Sequence, residues 1–325
     1  MRVDKRTVVT GASGFIGRNL VAELNARGYD KLLLVDTLGS DDKWHNLVGL
    51  DFEDILGPAV FLNCLQTGKL ADLDAIVHLG ACSSTTERDA DFLLHNNYQY
   101  TRALCDWSLQ NDTRFVYASS AATYGDGNQG YSDDTRLTAL CPLNMYGYSK
   151  HMFDLWAEKH GHFDLIVGLK YFNVFGPYED HKGDMRSVVN KAYSQIKDTG
   201  KVQLFKSYIP DFADGEQMRD FIYVKDAVAV TLYFLEQREV GGLFNCGTGQ
   251  ARSWKDLMHA VFDAMGVAPR IEFIDMPETL RGKYQYFTQA DMKKLRSVGY
   301  AAPFTSLEDA VRDYVTFLAG RDGAQ

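Results

Sequence analysis

The sequence of 325 residues has few of the features that mark secreted, membrane-bound or nucleic-acid-binding proteins. Its five cysteines are widely spaced and form no Cys-x-x-Cys pair, which indicates free thiols rather than a disulfide framework or a zinc site. No apolar run is long enough to span a bilayer, and no secretory leader precedes the first apolar run. A formal net charge of −9 disfavours binding to nucleic acid or anionic lipid through overall charge. We therefore expect a cytoplasmic protein that binds no metal, nucleic acid or membrane.

Short apolar runs alternate with longer segments of helical period through the first half of the chain. The runs lie at residues 7–10, 32–35, 75–79, 115–118 and 165–169, and the helical segments near residues 15–27, 89–110 and 145–160. Continuous apolar strands followed by helices are typical of a parallel sheet that is covered on both faces. The pattern predicts an α/β fold with a Rossmann-type doubly wound parallel sheet.

This regularity ends near residue 173, and the remaining chain reads as a smaller α+β unit. Helices are predicted at residues 253–265, 289–298 and 306–318, with a strand at 270–274. We predict a nucleotide-binding domain formed by residues 1–173 and about 220–246. A substrate-binding domain would comprise about residues 174–219 together with 247–325.

A glycine-rich loop follows the first strand and opens the first helix. In it, Gly11 allows a tight turn, Gly14 permits close backbone approach to a pyrophosphate, and Gly17 allows close packing of helix and strand. The helix N-terminus adds unpaired N–H groups and a positive dipole end. Asp36 stands 19 residues after Gly17, where an acid meets the adenosine ribose, and Lys43 could neutralise a 2′-phosphate. The sequence predicts dinucleotide binding and leaves NAD or NADP open.

A second set of residues carries acid–base chemistry. Tyr146 and Lys150 are four residues apart and share one helix face, and Ser120 ends a strand upstream. A phenol of pKa about 10 needs about 4 kcal/mol to work near pH 7. One ammonium at about 4 Å in an effective dielectric of about 20 supplies that amount. The sequence predicts Tyr146 as general acid and base, Lys150 as the group that lowers its pKa, and Ser120 as a hydrogen-bond donor to the reacting oxygen.

In this order, the glycine loop, the Ser-Ser strand end and the Tyr-x-x-x-Lys helix resemble the extended short-chain dehydrogenase/reductase family. More specific segments resemble the ADP-glyceromanno-heptose 6-epimerases within it, and the likeness runs from about residue 7 to residue 320. These segments lie at residues 80–87, 96–100, 171–177, 181–183 and 284–290.

The resemblance implies inversion of C6 in ADP-D-glycero-β-D-manno-heptose to give the L-glycero isomer. The C6–H bond has no acidifying neighbour, so the feasible route is transient oxidation to a 6-keto intermediate and reduction from the other face. The cofactor, NADP with NAD as the alternative, is regenerated in each cycle, which favours one tightly bound molecule per subunit. One acid–base group cannot serve both orientations of the oxygen, and the resemblance assigns the second role to Lys182.

The remaining site residues also follow from the resemblance. Those implied for the cofactor, besides the loop glycines and Lys150, are Phe15, Ile16, Asp36, Thr37, Lys43, Leu79, Gly80, Ala81, Cys82, Ser83, Asn96 and Val174. Those implied for the sugar nucleotide are Asn173, Val174, Asp184, Lys191, Phe205, Arg219 and Tyr284. The guanidinium fork of Arg219 matches the oxygens of the ADP diphosphate. The family also implies a homo-oligomer that supplies heptose for a bacterial surface polysaccharide.

Several positions depart from the family pattern, and all concern substrate recognition rather than hydride transfer. They are Lys170, Tyr178, Asp180, Asp184, Lys191 and the segment 205–212. A UDP-hexose 4-epimerase, which shares Tyr, Lys and Ser but needs no equivalent of Lys182, is the alternative function. A non-catalytic NAD(P)-binding module is a more distant one.

Overall fold

The computed structural model describes residues 5–40, 42–281 and 284–323. The outer ends of the two predicted domains, residues 1–4 and 324–325, lie outside the described residues. The strands are β1 (Arg6–Thr10), β2 (Leu32–Val35), β3 (Asp54–Leu56), β4 (Leu73–His78), β5 (Arg114–Ser120), β6 (Val167–Tyr171), β7 (Asn173–Phe175), β8 (Val202–Phe205), β9 (Met218–Tyr223), β10 (Gly242–Cys246), β11 (Ala251–Ser253) and β12 (Ile271–Ile274).

The α-helices alternate with these strands in the first part of the chain and dominate the last part. They are α1 (Phe15–Ala26), α2 (Pro58–Gln66), α3 (Ala90–Leu93), α4 (Tyr100–Gln110), α5 (Met145–Lys159), α6 (Val188–Thr199), α7 (Val224–Glu236), α8 (Trp254–Met265), α9 (Glu278–Arg281), α10 (Lys293–Ser297) and α11 (Leu307–Asp322).

Seven parallel strands form the central sheet in the order β10-β6-β5-β4-β1-β2-β3. The chain moves outward from β1 in one direction and then returns to continue in the other, so the sheet is doubly wound, as predicted. Both faces are covered by helices, and every residue of β2 is buried, which explains its continuous apolar character. A site for a ligand is expected at the carboxyl ends of β1 and β4, where the strand order reverses.

The smaller unit contains two short sheets and the last helices. One sheet has the order β11-β9-β7, and the other pairs β12 with β8. Helices α8, α6 and α11 pack together, and Tyr314 of α11 and Phe262 of α8 are fully buried. The division into two domains at the predicted boundaries stays a prediction.

Two secondary-structure predictions need correction. The helix predicted at 89–110 is interrupted by a π-helical turn, Leu94–Gln99, that aims Asn97 into the interior. The helix predicted at 289–298 is only the short α10, because the preceding segment runs extended beside β9 and β10. The edge strand β3 and helix α2 were not predicted. Among the described residues, no helix is long and apolar enough to cross a membrane, and no cluster of His, Cys, Asp and Glu could hold a metal ion.

Candidate active site

The glycine loop between β1 and α1 is shaped for close approach of a phosphate. Gly11 has φ of +67°, and a Cβ there would lie 2.7 Å from the backbone nitrogen of Gly80. A Cβ on Gly17 would lie 2.0 Å from the carbonyl oxygen of Gly11. Gly14 is the N-cap of α1, and no side chain caps this helix end. Its first N–H groups are therefore available to an anion, and the loop fits the pyrophosphate of a dinucleotide.

Asp36 lies at the end of β2 and organises the adenosine side of the site. One carboxylate oxygen accepts hydrogen bonds from the backbone and the hydroxyl of Ser13, at 2.9 and 2.6 Å. The other accepts from the Thr37 backbone at 2.7 Å and from Lys43 Nζ at 2.7 Å. Asp36, which was predicted to bind the adenosine ribose, is thus in direct contact with Lys43, which was predicted to neutralise a 2′-phosphate.

A cavity of 690 Å³ extends from this loop across the carboxyl edge of the sheet. All four predicted catalytic residues line it, together with every predicted cofactor residue except Thr37 and Asn96. Thr37 contacts Asp36 only through its backbone, and the Asn96 side chain bonds to Asn97. Asn97, which the sequence reasoning passed over, is buried and holds both backbone polar groups of Cys82 at 2.9 Å and Ser149 Oγ at 3.0 Å.

Tyr146 enters the cavity from the first turn of α5. Asn144 caps this turn by accepting a 2.8 Å hydrogen bond from the backbone of Gly147, and a Cβ on Gly147 would lie 2.8 Å from the carbonyl of Ala122. The helix therefore sits directly against the end of β5, and Ser120 lies next to the Tyr146 phenol. Burial raises the pKa of Tyr146, and the interaction with Ser120 opposes this rise.

Desolvation is the largest influence on the pKa of the Tyr146 phenol, and the role of Lys150 in lowering that pKa stays a prediction. Burial also lowers the pKa of Lys150 to about 8, and the charge of Asp154 opposes that shift. Asp154 is itself fully buried and accepts hydrogen bonds from Tyr117, Ser119 and Lys170, at 2.7, 2.7 and 2.9 Å.

Lys182 reaches the same cavity from the segment between β7 and α6. It lies in a single 3-10 turn, Asp180–Met185, that Gly183 breaks with a φ of +52°. Its Nζ lies 5.0 Å from the centre of the Phe15 ring and 3.7 Å from a carboxylate oxygen of Glu179. Burial lowers the pKa of Lys182, and Glu179 opposes this. Lys182 is thus a part-buried cation at the cavity wall and not a solvated loop residue.

A second cavity of 270 Å³ adjoins the first, and Lys182 and Val174 line both. Its wall includes the predicted residue Asn173 and also Trp254, which was not predicted. Behind Trp254 lies an aromatic and cationic cluster formed by Arg219 and Tyr284. The Trp254 indole donates to the Tyr284 hydroxyl at 2.9 Å, and the Arg219 guanidinium lies 5.5 and 5.2 Å from the two ring centres.

Arg219 is nearly buried and donates to the carbonyl oxygens of Met218 and Gln285. The carboxylates nearest to Arg219 in sequence, Asp220 and Glu216, bind Thr248 and Lys255 and leave Arg219 without a carboxylate partner among these two. Burial lowers the pKa of Arg219, and the nearby phenols of Tyr284 and Tyr131 oppose this.

Three other predicted substrate residues lie outside both cavities. Lys191 extends to the backbone carbonyl of Asp184, so these two residues contact each other on the first turn of α6 and the loop before it. Phe205 ends β8, where its carbonyl accepts from Gln217. Their distances along the sequence from the glycine loop and the Tyr-x-x-x-Lys motif contain no information on how the loop before α6 folds.

A phosphate-binding glycine loop at the strand-order reversal, with a Ser-Tyr-Lys group in the same cavity, defines a nicotinamide-dependent enzyme of the extended short-chain dehydrogenase/reductase class. The profile of the NAD dependent epimerase/dehydratase family matches residues 7–247. The chain is 55% identical to an ADP-L-glycero-D-manno-heptose-6-epimerase of Nitratidesulfovibrio vulgaris (strain Hildenborough), over 97% of this chain and 98% of that protein. It is 45% identical to an ADP-L-glycero-D-manno-heptose-6-epimerase of Fusobacterium nucleatum, again over 97% of this chain and 98% of the relative.

Comparison with solved structures supports the same fold and the same family. The ADP-L-glycero-D-manno-heptose-6-epimerase of Helicobacter pylori superposes with a TM-score of 0.82 at 25% identity, over 98% of this chain and 97% of that chain. A UDP-glucose 4-epimerase from Thermotoga maritima has a TM-score of 0.80 at 23% identity, over 98% and 100% of the two chains, and shows the fold alone. The chain belongs to the NAD dependent epimerase/dehydratase family and, within it, to the ADP-L-glycero-D-manno-heptose-6-epimerases.

Proposed function

We propose that the protein inverts C6 of the heptose in ADP-D-glycero-β-D-manno-heptose to give ADP-L-glycero-β-D-manno-heptose. The main support for this reaction is that Tyr146 and Lys182, which come from different elements, line the same cavity beside the glycine loop. A 4-epimerase needs only the first of these groups. The names of the relatives at 55% and 45% identity support the same reaction.

The residues have the chemistry that this reaction requires. A nicotinamide cofactor, which the glycine loop and Lys150 would hold, would supply the hydride chemistry for oxidation and reduction at C6. Tyr146 would take up the C6 hydroxyl proton at its Oη in one half-reaction, and Lys182 would donate a proton at Nζ in the other. Tyr146 would then release its proton to solvent and Lys182 would take one up from solvent, which restores both groups for the next turnover. Ser120 Oγ would hold the reacting oxygen, and Lys150 would hold the nicotinamide ribose.

The remaining predicted substrate residues, together with Trp254, would bind the sugar nucleotide. Arg219 would meet the diphosphate, with Tyr284 and Trp254 as the aromatic wall of the sugar-nucleotide site. Asn173 and Val174 would contact the sugar. Asp184, Lys191 and Phe205 lie outside both cavities, as do Arg219 and Tyr284, and would reach the substrate after movement of the loop before α6 and of the end of β8. Residues 1–173 with about 220–246 would form the cofactor domain, and the rest the substrate domain.

We further propose NADP as the cofactor, held tightly at one molecule per subunit, because Lys43 neutralises Asp36 where a 2′-phosphate would otherwise meet a bare carboxylate. The protein would be a cytoplasmic homo-oligomer that supplies heptose for a bacterial surface polysaccharide.

Replacing Lys43 by Ala is expected to weaken NADP binding by about 10- to 100-fold, the effect of one charged hydrogen bond, with little effect on NAD. The measurement is chromatography of the cofactor released from denatured protein, followed by titration of the stripped protein. Lys201→Ala, which removes an exposed partner of Glu272, is the matched control. Unchanged NADP affinity in Lys43→Ala would contradict the assignment.

The function is tested by incubating the purified protein, with no added cofactor, with ADP-D-glycero-β-D-manno-heptose or with UDP-glucose. Chromatography would separate the two C6 diastereomers, and we expect the L-glycero isomer from the heptose and no product from UDP-glucose. Turnover of UDP-glucose alone would establish the 4-epimerase instead. Bound cofactor with no turnover of either sugar would indicate a non-catalytic module.

A further inference from the structure

A fully buried carboxylate, Glu179, lies directly behind the side chain of Lys182. Its Oε2 is 3.7 Å from Lys182 Nζ, and the backbone N–H of Lys182 donates to the Glu179 carbonyl at 3.0 Å. Glu179 is 0% exposed, so its charge is not screened by water. A buried carboxylate is costly unless it is paired and hydrogen-bonded, and its position beneath the second predicted acid–base group therefore calls for a functional explanation.

Burial raises the pKa of the Glu179 carboxyl, and the charge of Lys182 and the hydrogen bonds that the carboxyl accepts from Ser187 and Tyr314 oppose this rise. The Glu179 Oε2 accepts from the Ser187 backbone at 2.7 Å, and its Oε1 accepts from the Ser187 hydroxyl and from the Tyr314 hydroxyl, the latter at 2.9 Å. Three donors converge on the group, and an ionised carboxylate is acceptor-only and can satisfy all of them. The free lone pair of Oε2 is then available to the ammonium of Lys182.

The same contacts fix Glu179 to two helices. Ser187 is the N-cap of α6, and Tyr314 comes from the middle of α11, where its hydroxyl accepts from Asn190 at 2.8 Å. Asp180 accepts from Asn190 at 3.1 Å and from Arg321 of α11. The carboxylate therefore cannot follow Lys182 if the loop moves, and it acts as a fixed point for the ammonium.

Other charged and titratable groups also face Lys182. Lys191 of α6 repels its charge, while Tyr146 and Lys150 of α5, His181 of the same turn, and Asp36 and Lys43 on the ribose side share its cavity. Apart from Glu179, the only carboxylate in that group is Asp36, which is bound to Lys43, Ser13 and Thr37. Among the residues that the structure describes around the cavity, Glu179 is thus the one carboxylate that pairs with Lys182.

We propose that Glu179 is a positioning residue for the epimerisation, holding the ammonium of Lys182 at the cavity wall and setting the pH range in which Lys182 exchanges a proton with substrate. This rests on the proposed function, because Lys182 is a catalytic group only if the C6 centre reacts. Neither α6 nor α11 contributes a catalytic group itself, and Tyr314 and Ser187 act only through Glu179.

The kinetic test compares Glu179→Gln, Lys182→Met and the double variant with the unmodified protein. Gln keeps the shape of the Glu179 side chain and removes its charge. We expect kcat of Glu179→Gln to fall about 10- to 100-fold, because a misplaced acid–base group slows the chemical step. KM should change by less than about twofold. Glu272→Gln, which removes an exposed carboxylate paired with Lys201, should leave both constants unchanged.

The double variant distinguishes positioning from a purely structural role. If Glu179 acts through Lys182, Glu179→Gln should cause no further loss in the Lys182→Met background. An equal loss in both backgrounds would overturn the proposal. If Glu179→Gln fails to fold, Tyr314→Phe keeps the question open to test, because it removes one hydrogen bond from Glu179 and should give a smaller loss of kcat with the same non-additivity.

A second measurement does not depend on any substrate. The rate of acylation of Lys182 by limiting acetic anhydride, followed by mass spectrometry against pH, reports the pKa of Lys182 in the holoenzyme. Glu179 raises this pKa, so Glu179→Gln should move the midpoint about 1–3 units lower, while Glu272→Gln leaves it in place. An unmoved midpoint would overturn the proposal. A moved midpoint in a protein that epimerises neither sugar would leave the Glu179–Lys182 contact standing and refute the proposed function instead.

Discussion

Replacing Tyr146 by Phe should lower kcat for epimerisation by about 10²- to 10⁴-fold while the bound cofactor is retained. This range is the contribution of a positioned general acid or base. Phe keeps the aromatic ring and its packing at the start of α5 and removes only the hydroxyl that Ser120 contacts. Because the change removes a proton-transfer group and not a binding contact, KM should stay within about twofold.

The chain offers a matched control two residues further along the same helix. Tyr148 is 47% exposed and is not among the residues that line the 690 Å³ cavity, so Tyr148→Phe makes the same chemical change outside the site. Steady-state rates with ADP-D-glycero-β-D-manno-heptose, and cofactor content after purification, would be measured for both variants. Equal rates for the two variants would remove Tyr146 from the mechanism.

The largest expected effect on stability is at Asp154, which lies on the buried face of α5, one turn after Lys150. Replacing it by Ala leaves the ammonium of Lys170 buried at 0% exposure without its carboxylate. Removing one partner of a buried ion pair costs about 3–5 kcal/mol, and the hydroxyls of Tyr117 and Ser119 lose their acceptor as well. We expect the free energy of unfolding to fall by at least that amount.

Denaturant unfolding followed by circular dichroism would measure the loss. Glu272→Ala breaks the exposed pair with Lys201 and should change the free energy of unfolding by less than about 1 kcal/mol. Adding Lys170→Met to Asp154→Ala removes the stranded charge and should recover part of the stability. A loss below about 1 kcal/mol in Asp154→Ala would show that Lys170 finds another partner or loses its proton.

The central sheet could be predicted because its strands are buried on both faces. Strands β1, β2, β4, β5 and β6 are continuous apolar runs, and these were located to within two residues. The edge strand β3 has only three residues and no buried one, so it left no such signal. Strand β10 was missed because it returns to pair with β6 after a long excursion, and a local pattern contains no information on that pairing.

The family and the reaction could be predicted from short motifs whose residues are close in sequence, and the comparisons confirm both. The glycine loop and the Tyr-x-x-x-Lys turn are fixed by local geometry. Arg219 and Tyr284 are far apart in the chain, and their proximity to Trp254 could be known only from the structure.

The two buried carboxylates that pair with lysines, Glu179 and Asp154, were the most difficult to foresee. Glu179 reads as a polar loop residue, and its burial depends on Tyr314, 135 residues further along the chain. Lys170 did carry a usable signal, since a lysine inside the apolar run of β6 requires a buried partner. The identity of that partner, Asp154, depends on how α5 packs against the sheet.

The loop that holds Lys182 has attachments at both of its sides. Asn46, beside the glycine loop, donates to the Ser13 carbonyl at 2.9 Å and contacts His181 Nδ1 at 3.1 Å. On the other side, Tyr314 and Arg321 of α11 hold Glu179 and Asp180. For protein engineering, this makes the last helix an unsuitable place for a cleavable tag junction or a split-protein breakpoint. A fragment cut before α11 would keep its glycine loop and Tyr146 and still lose the contacts that hold the loop of Lys182 in place.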